Sequence, residues 1–423
     1  MKKLKLLVLP VVLMMASCNK PAAGYNTQEN LPAGGEAVEA DITDETKRSA
    51  YEAQLQAITD SVPEVLSNSV TKVSLDVDLS VKNFDPSSVT MPKMSAPVAA
   101  EEEVPSFKVN ATLKGGIDAY VAAPTATATS TAAVFVRGLT AKVSGIPQLN
   151  GKEVGIDGLN LAAYYRVETV QETTVAKVYL DLSDASVKRN LKNVADVVFS
   201  QMETAPEMDV GQMFDTLLPG GKGFITLPPM QIGGEEEGSE AQYITDVVGF
   251  GTQMGLAALT QFIGDLTVDL AKVSEQTAAF LPEVKVWKEG DTVTRIGAAM
   301  NVDAIELYKQ QIIAQAAEQG VEPTEEQINQ VLDALPVKSV KAGVSVLVGT
   351  TTGATKIAPE EISAKAAIET KDGGSVQGSV KLAFAYNAQA GYTPLTDAQA
   401  ATYTNDITQI ISSFMPAGGG EIE

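Results

Sequence analysis

A strict two-residue alternation of apolar and polar side chains recurs along this chain in several long runs. Between Val73 and Val81, valine and leucine at the odd positions alternate with Ser74, Asp76, Asp78 and Ser80, which predicts a strand with one buried and one wet face. Alternation returns at Phe107, Val109, Ala111 and Leu113, at Ile117 to Val121, and near Val134–Val143, Leu159–Val170 and Thr174–Leu182. It appears again at Glu283–Trp287, Thr292–Val302, Val340–Val348, Ile362–Ile368 and Val376–Tyr386. Neighbouring strands joined by short connections pair antiparallel.

Helical periodicity separates these runs. Tyr51, Leu55, Ile58, Val62, Val65 and Leu66 form a stripe within Thr43–Ser67. Val187, Leu191, Val194 and Val198 form another, with Asp184 as its N-cap, and a short helix is expected at Val210–Leu218. The longest helical stretch is Ala241–Phe280, where Gln261, Asp265 and Asp269 argue against a membrane span. Asp303 with Glu306, Thr324 with Gln327, and Thr396 with Gln399 have capping-box spacing; the last pair is expected to start a helix reaching Phe414. The fold class is therefore α+β: long antiparallel, curved sheets packed against helices. Each half contains a strand that ends in an aspartate cap (Asp184 or Asp303) and leads into helices, an order that suggests two similar halves. The Gly-, Pro- and Glu-rich segment 219–240 is the expected linker between a first domain at 43–218 and a second half at 241–416, with 417–423 as a tail.

The N-terminus supplies the one assignable modification. Lys2, Lys3 and Lys5 precede an uncharged run from Leu6 to Met15, then Ala16, Ser17 and Cys18; this is the order of a secretory signal, and the run is too short to span a bilayer. Met15-Ala16-Ser17-Cys18 resembles the lipobox of bacterial lipoproteins, with Met15 where leucine is usual. The resemblance implies that residues 1–17 are removed and that Cys18 is lipidated, anchoring the protein on the extracytoplasmic side of an envelope membrane. Residues 18–42, without periodicity, are the expected flexible tether.

Composition narrows the chemistry. The 423 residues contain no histidine and a single cysteine, so the usual zinc, copper and haem ligand sets and every histidine-based nucleophile arrangement are missing. No cofactor or metal site and no catalytic residue is assigned, and the chain is not expected to be an enzyme. Removing the three signal lysines takes the formal charge from −22 to −25, a field that repels nucleic acid. Gly220-Gly221-Lys222-Gly223 departs from a phosphate-binding loop because Gly223 replaces the hydroxyl residue. Asp76 and Asp78 lack the glycine turn and terminal glutamate of a calcium loop, and Ser375 lacks the second glycine of a nucleophile elbow. Tyr164, Tyr165 and Trp287 read as packing residues.

Three functions stay open on these grounds. One is a binding module for an apolar or lipid ligand, since small core residues beneath a curved sheet leave room for one. In element order this resembles bacterial lipid-carrier lipoproteins, in which a half-open barrel embraces helices. The others are a structural or interaction protein of the envelope, and a hydrolase using paired carboxylates. The anchor assignment makes one prediction: Cys18→Ala leaves the fold intact and moves the protein from the membrane pellet to the supernatant in a carbonate wash. Retention of the variant in the pellet would place the anchor elsewhere.

Overall fold

Backbone pairing along the alternating runs produces one continuous sheet. The protein was analysed as a computed structural model that describes residues 37–53, 56, 70–85, 107–122, 131–147, 151–170, 173–200, 209–227, 230–232, 242–247, 249–251, 254, 283–289, 292–350, 357–386 and 392–414. The first half contributes β1 (Ala37–Glu39), β2 (Val70–Phe84), β3 (Val109–Ala122), β4 (Ala132–Ser144), β5 (Val154–Val170), β6 (Thr173–Asp181) and β7 (Lys222–Leu227). A separate hairpin pairs β8 (Met230–Ile232) with β9 (Gln242–Ile244). The second half contributes β10 (Glu283–Glu289), β11 (Thr292–Asp303), β12 (Val337–Thr350), β13 (Ile357–Thr370), β14 (Ser375–Ala385) and β15 (Asn405–Asp406).

The large sheet has 13 strands among the described residues, in the order β1-β10-β11-β12-β13-β14-β2-β3-β4-β5-β6-β7-β15. All its pairs are antiparallel except β15, which runs parallel to β7. The halves join where β14 pairs with β2 in unbroken register, from Ser375 opposite Lys82 to Ala385 opposite Lys72. Each end of the chain crosses to the other half: β1 covers the β10 edge, and β15 covers the β7 edge. Edge strands this short leave little unpaired backbone on which another sheet could add.

Helices are inserted between neighbouring strands. α1 (Ala185–Phe199) and α2 (Val210–Leu217) connect β6 to β7, while α3 (Ala304–Glu318) and α4 (Glu325–Ala334) connect β11 to β12. The first pair follows a meander of five strands and the second a hairpin of two, so the halves differ in element order. The caps form where the spacing predicts them. Asp184 accepts from Ser186 N at 2.8 Å and Asp303 from Ile305 N at 3.0 Å, while Thr324–Gln327 and Thr396–Gln399 make reciprocal boxes. The Lys371 ammonium donates to the carbonyls of Leu332 and Asp333 at the end of α4, where a cation also complements the helix dipole.

Several expectations change. Within the expected tether, Ala37–Glu39 form β1, and Ala40 and Ile42 enter a buried cluster with Tyr51, Val284, Val286 and Ile296. The predicted first helix is present at 45–53; most of its remainder lies outside the described residues. Within the expected linker, residues 222–227 are β7, a short run hidden in the sequence by the flanking Pro-Gly-Gly and Pro-Pro. The stretch expected to be helical from Ala241 instead begins with β9. The C-terminal helix is broken into α5 (Asp397–Ala400) and α6 (Ile407–Phe414) by β15. Tertiary contacts cause this break: Tyr403 is buried against Tyr179, and the Asn405 amide donates to the carbonyls of Pro219 and Lys222 at 2.7 Å each.

One internal edge is sealed by side chains. β5 pairs with β6 only from Ala162 onward, so the overhanging backbone near Asp157 needs other partners. α1 supplies them. Buried Asn190 accepts from Asp157 N at 2.6 Å and donates to Asp157 O at 3.0 Å, while Ser186 accepts from Asn160 N at 2.9 Å. Asn190→Ala leaves Asp157 N without its acceptor and removes one of two donors to Asp157 O, the other being Arg189 Nη2 at 2.9 Å, and is expected to lower unfolding free energy by about 1–3 kcal/mol in a denaturant titration. A change below about 0.5 kcal/mol, within the range of ordinary surface substitutions, would contradict this role.

Candidate functional site

Cys18 lies outside the described residues, so the site is sought on the sheet. Most of the residues considered for chemistry in the sequence serve the fold. At Gly221 (φ 68°) a Cβ would lie 2.7 Å from Ser183 Cα, and at Gly223 it would lie 2.4 Å from Ile407 Cγ1; this glycine run permits close approach of the chain rather than cradling phosphate. Asp76 and Asp78 lie on β2, where Arg137 Nη2 reaches Asp76 at 2.9 Å and Lys114 reaches Asp78 at 3.4 Å. Ser375 opens β14 opposite Lys82. Among the described residues no group of three acidic or cysteine side chains is placed to hold a metal ion, and no helix is long and apolar enough to cross a membrane.

Alternation gives the sheet two chemically different faces. On one face the register aligns Val73, Leu75, Val77 and Leu79 of β2 with Phe384, Leu382, Val380 and Gly378 of β14, and with Ala119, Ile117 and Leu113 of β3. Ile362 and Ile368 of β13 extend it. This face is closed at both ends. Tyr51, Ala40 and Ile42 pack on Val284, Val286 and Ile296 at one end, and at the other the buried Tyr165 donates its hydroxyl to Asp246 at 3.1 Å. Between those ends the apolar side chains of β2, β13 and β14 are only half-buried, Ala364 and Ala366 are exposed, and Val380 is 44% exposed.

The opposite face is ionic at its centre. Lys72 and Arg137 flank Asp118 at 3.1 and 2.8 Å; burial alone would raise the Asp118 carboxyl, but these cations and its hydroxyl neighbour hold it below the usual carboxylate range. Toward β12 this face buries Trp287, Ala299 and Leu347. Toward β7 it carries an aromatic row, Tyr120, Phe135, Tyr164, Tyr179 and Phe224, with successive ring centroids 5.7–6.1 Å apart where adjacent rings touch. The segment 392–407 lies over this row, with Tyr392 stacked on Tyr120 at 5.3 Å and Tyr403 edge-on to Tyr179 at 5.2 Å.

A cleft of about 530 Å³ opens between β5, β6 and α5. Glu168 organises its floor: it accepts the Tyr179 hydroxyl at 2.5 Å, pairs with Lys177 at 2.9 Å and meets Arg166 Nε at 3.4 Å. Burial would raise Glu168, but the Tyr179 and Lys177 hydrogen bonds outweigh it and leave its carboxyl low; burial and then Glu168 itself push the Tyr179 phenol well above its ordinary range. Tyr179 is therefore a fixed hydrogen-bond donor at physiological pH. Sequence reasoning passed over Arg166, Glu168 and Lys177. Their signal is the β5–β6 hairpin register, which sets Arg166 directly opposite Lys177 with Glu168 one pair closer to the turn along the same face. Like charges opposed on adjacent strands are unfavourable unless a carboxylate lies between them. No family of known proteins matches the chain, and no characterised protein matches its sequence.

Proposed function

We propose that the protein is a lipid-anchored envelope protein, held at Cys18, that binds an apolar ligand on the half-open apolar face of its sheet, with lipid acyl chains as the ligand class. The observation that carries this reading is the exposure of Val380 and its neighbours in the middle of a sheet face whose two ends are closed. An apolar surface left accessible between covered ends marks an interaction or ligand-binding surface. The small residues Ala364, Ala366 and Gly378 lower its profile where an acyl chain would lie.

The anchor fits the same reading. From Cys18 to the docked β1 the chain can reach at most about 65 Å, which keeps the sheet close to a source of lipid. The strong negative charge opposes adhesion of the whole surface to anionic headgroups, so the membrane contact falls to the anchor and the ligand to the face. An envelope interaction protein would use the same face against a protein partner and would not hold fatty acid.

Titration of the mature chain with cis-parinaric acid, followed by displacement with palmitate, tests this function. Saturable binding is expected, and Val380→Glu should weaken it at least ten-fold, because a carboxylate would then lie beside the acyl chain. Val380 is exposed enough for the variant to fold with its charge in water. Absence of saturable binding, or unchanged affinity in the variant, would rule out the acyl-binding face.

A further inference from the structure

We propose that the cleft between β5, β6 and α5 is a binding site for a small organic monocarboxylate, with Arg166 as its anchor and Asp397 as a built-in occupant that the ligand displaces. This site is on the ionic face of the sheet and does not depend on acyl binding to the other face.

The first argument is the asymmetry of one ion pair. Arg166 Nη2 meets Asp397 Oδ1 at 2.5 Å, yet the Arg166 side chain is 16% exposed and that of Asp397 is 97% exposed. The cation is held in place by Glu168 and the sheet, while its outer carboxylate is in water on a four-residue helix. Because the Asp397 carboxylate is 97% exposed, it stays hydrated when released, so a ligand carboxylate replaces it at small cost.

The second argument is an unfilled donor. Arg166 Nη1 is buried and has no hydrogen-bond partner among the described residues. The Asp397 contact engages only Nη2. A planar carboxylate bridging Nη1 and Nη2 makes the bidentate geometry that a guanidinium favours and satisfies both nitrogens.

Charge and walls set the rest of the ligand. Arg166 and Lys177 are balanced by Glu168 and Asp397, so exchanging Asp397 for one ligand carboxylate leaves the cleft neutral, whereas a phosphate dianion adds uncompensated charge beside Glu168. Tyr179 and Tyr403 are buried at the base of the cleft and Lys177 lies over Phe224, 5.4 Å from its centroid. The accessible lining is mainly polar, which suits a small ligand whose body carries a further polar group. The volume is within the usual range of about 300–1,000 Å³ for small-ligand sites.

Isothermal titration of the mature chain with 4-hydroxyphenylacetate, its neutral amide and inorganic phosphate tests the assignment. The acid should bind and the amide and phosphate should not. Asp397→Asn should tighten the acid roughly two- to five-fold, the factor that corresponds to losing an exposed competing pair. Arg166→Gln should weaken it at least ten-fold, and Val380→Glu should leave it unchanged. Because Asp397 is almost wholly in water, its variant keeps the test decisive even if Arg166→Gln disturbs the Glu168 cluster. Equal binding of the amide, displacement of the acid by equimolar phosphate, or unchanged or weakened affinity in Asp397→Asn would overturn the proposal.

Discussion

The pairing of β2 with β14 is the interaction on which the rest of the structure depends. It joins a strand near the start of the folded chain to one near its end, and without it the sheet would fall into two pieces, each with a long open edge. The register is self-consistent on both faces: Leu75 meets Leu382 and Val77 meets Val380 on one, while Asp76 meets Lys381 on the other. A one-residue slip would turn every one of these side chains to the wrong side. Closing so large a loop costs entropy that grows only slowly with length, but pairing this distant in sequence is slow to form.

Joining the halves at that seam also accounts for the crossed termini. With β2 and β14 in the middle, β10 and β7 become the outer strands, and each is covered by the chain end from the other half. The N-terminal segment brings Ala40, Ile42 and Tyr51 onto β10 and β11, and the C-terminal segment brings Tyr392, Leu395 and Tyr403 onto the aromatic row. Both ends of the sheet are thus packed by these segments, while among the described residues the centre of the apolar face receives the least cover. That exposed centre lies where the docked termini do not reach, and on the other face the Asp397 carboxylate stays exposed.

Much of this was legible in the residues. Strict alternation marks nearly every long strand, and Asp303, Thr324 and Thr396 mark helix starts, because a side chain's face and a cap's hydrogen bond are set by local spacing. What spacing does not carry is long-range pairing. β7 and β15 are short and take their conformation from each other and from Asn405, so a helix was expected where β15 forms. The aromatic row is invisible along the chain because Tyr120, Phe135, Tyr164, Tyr179 and Phe224 come from five different strands and meet only in register. The cleft was missed for a related reason: Arg166, Glu168 and Lys177 read as ordinary charges on a wet face until the β5–β6 hairpin opposes two cations and Asp397 arrives from the far end of the chain.

Native-state hydrogen exchange of the mature chain reports on whether one continuous sheet runs through β2 and β14. Amides of Val73–Val81 and Val376–Phe384 that bond across the seam should exchange in a single slow class, at rates comparable to those across β12–β13 and β3–β4. Fast exchange on the facing sides of β2 and β14, with protection kept on their other neighbours, would mean two separate sheets.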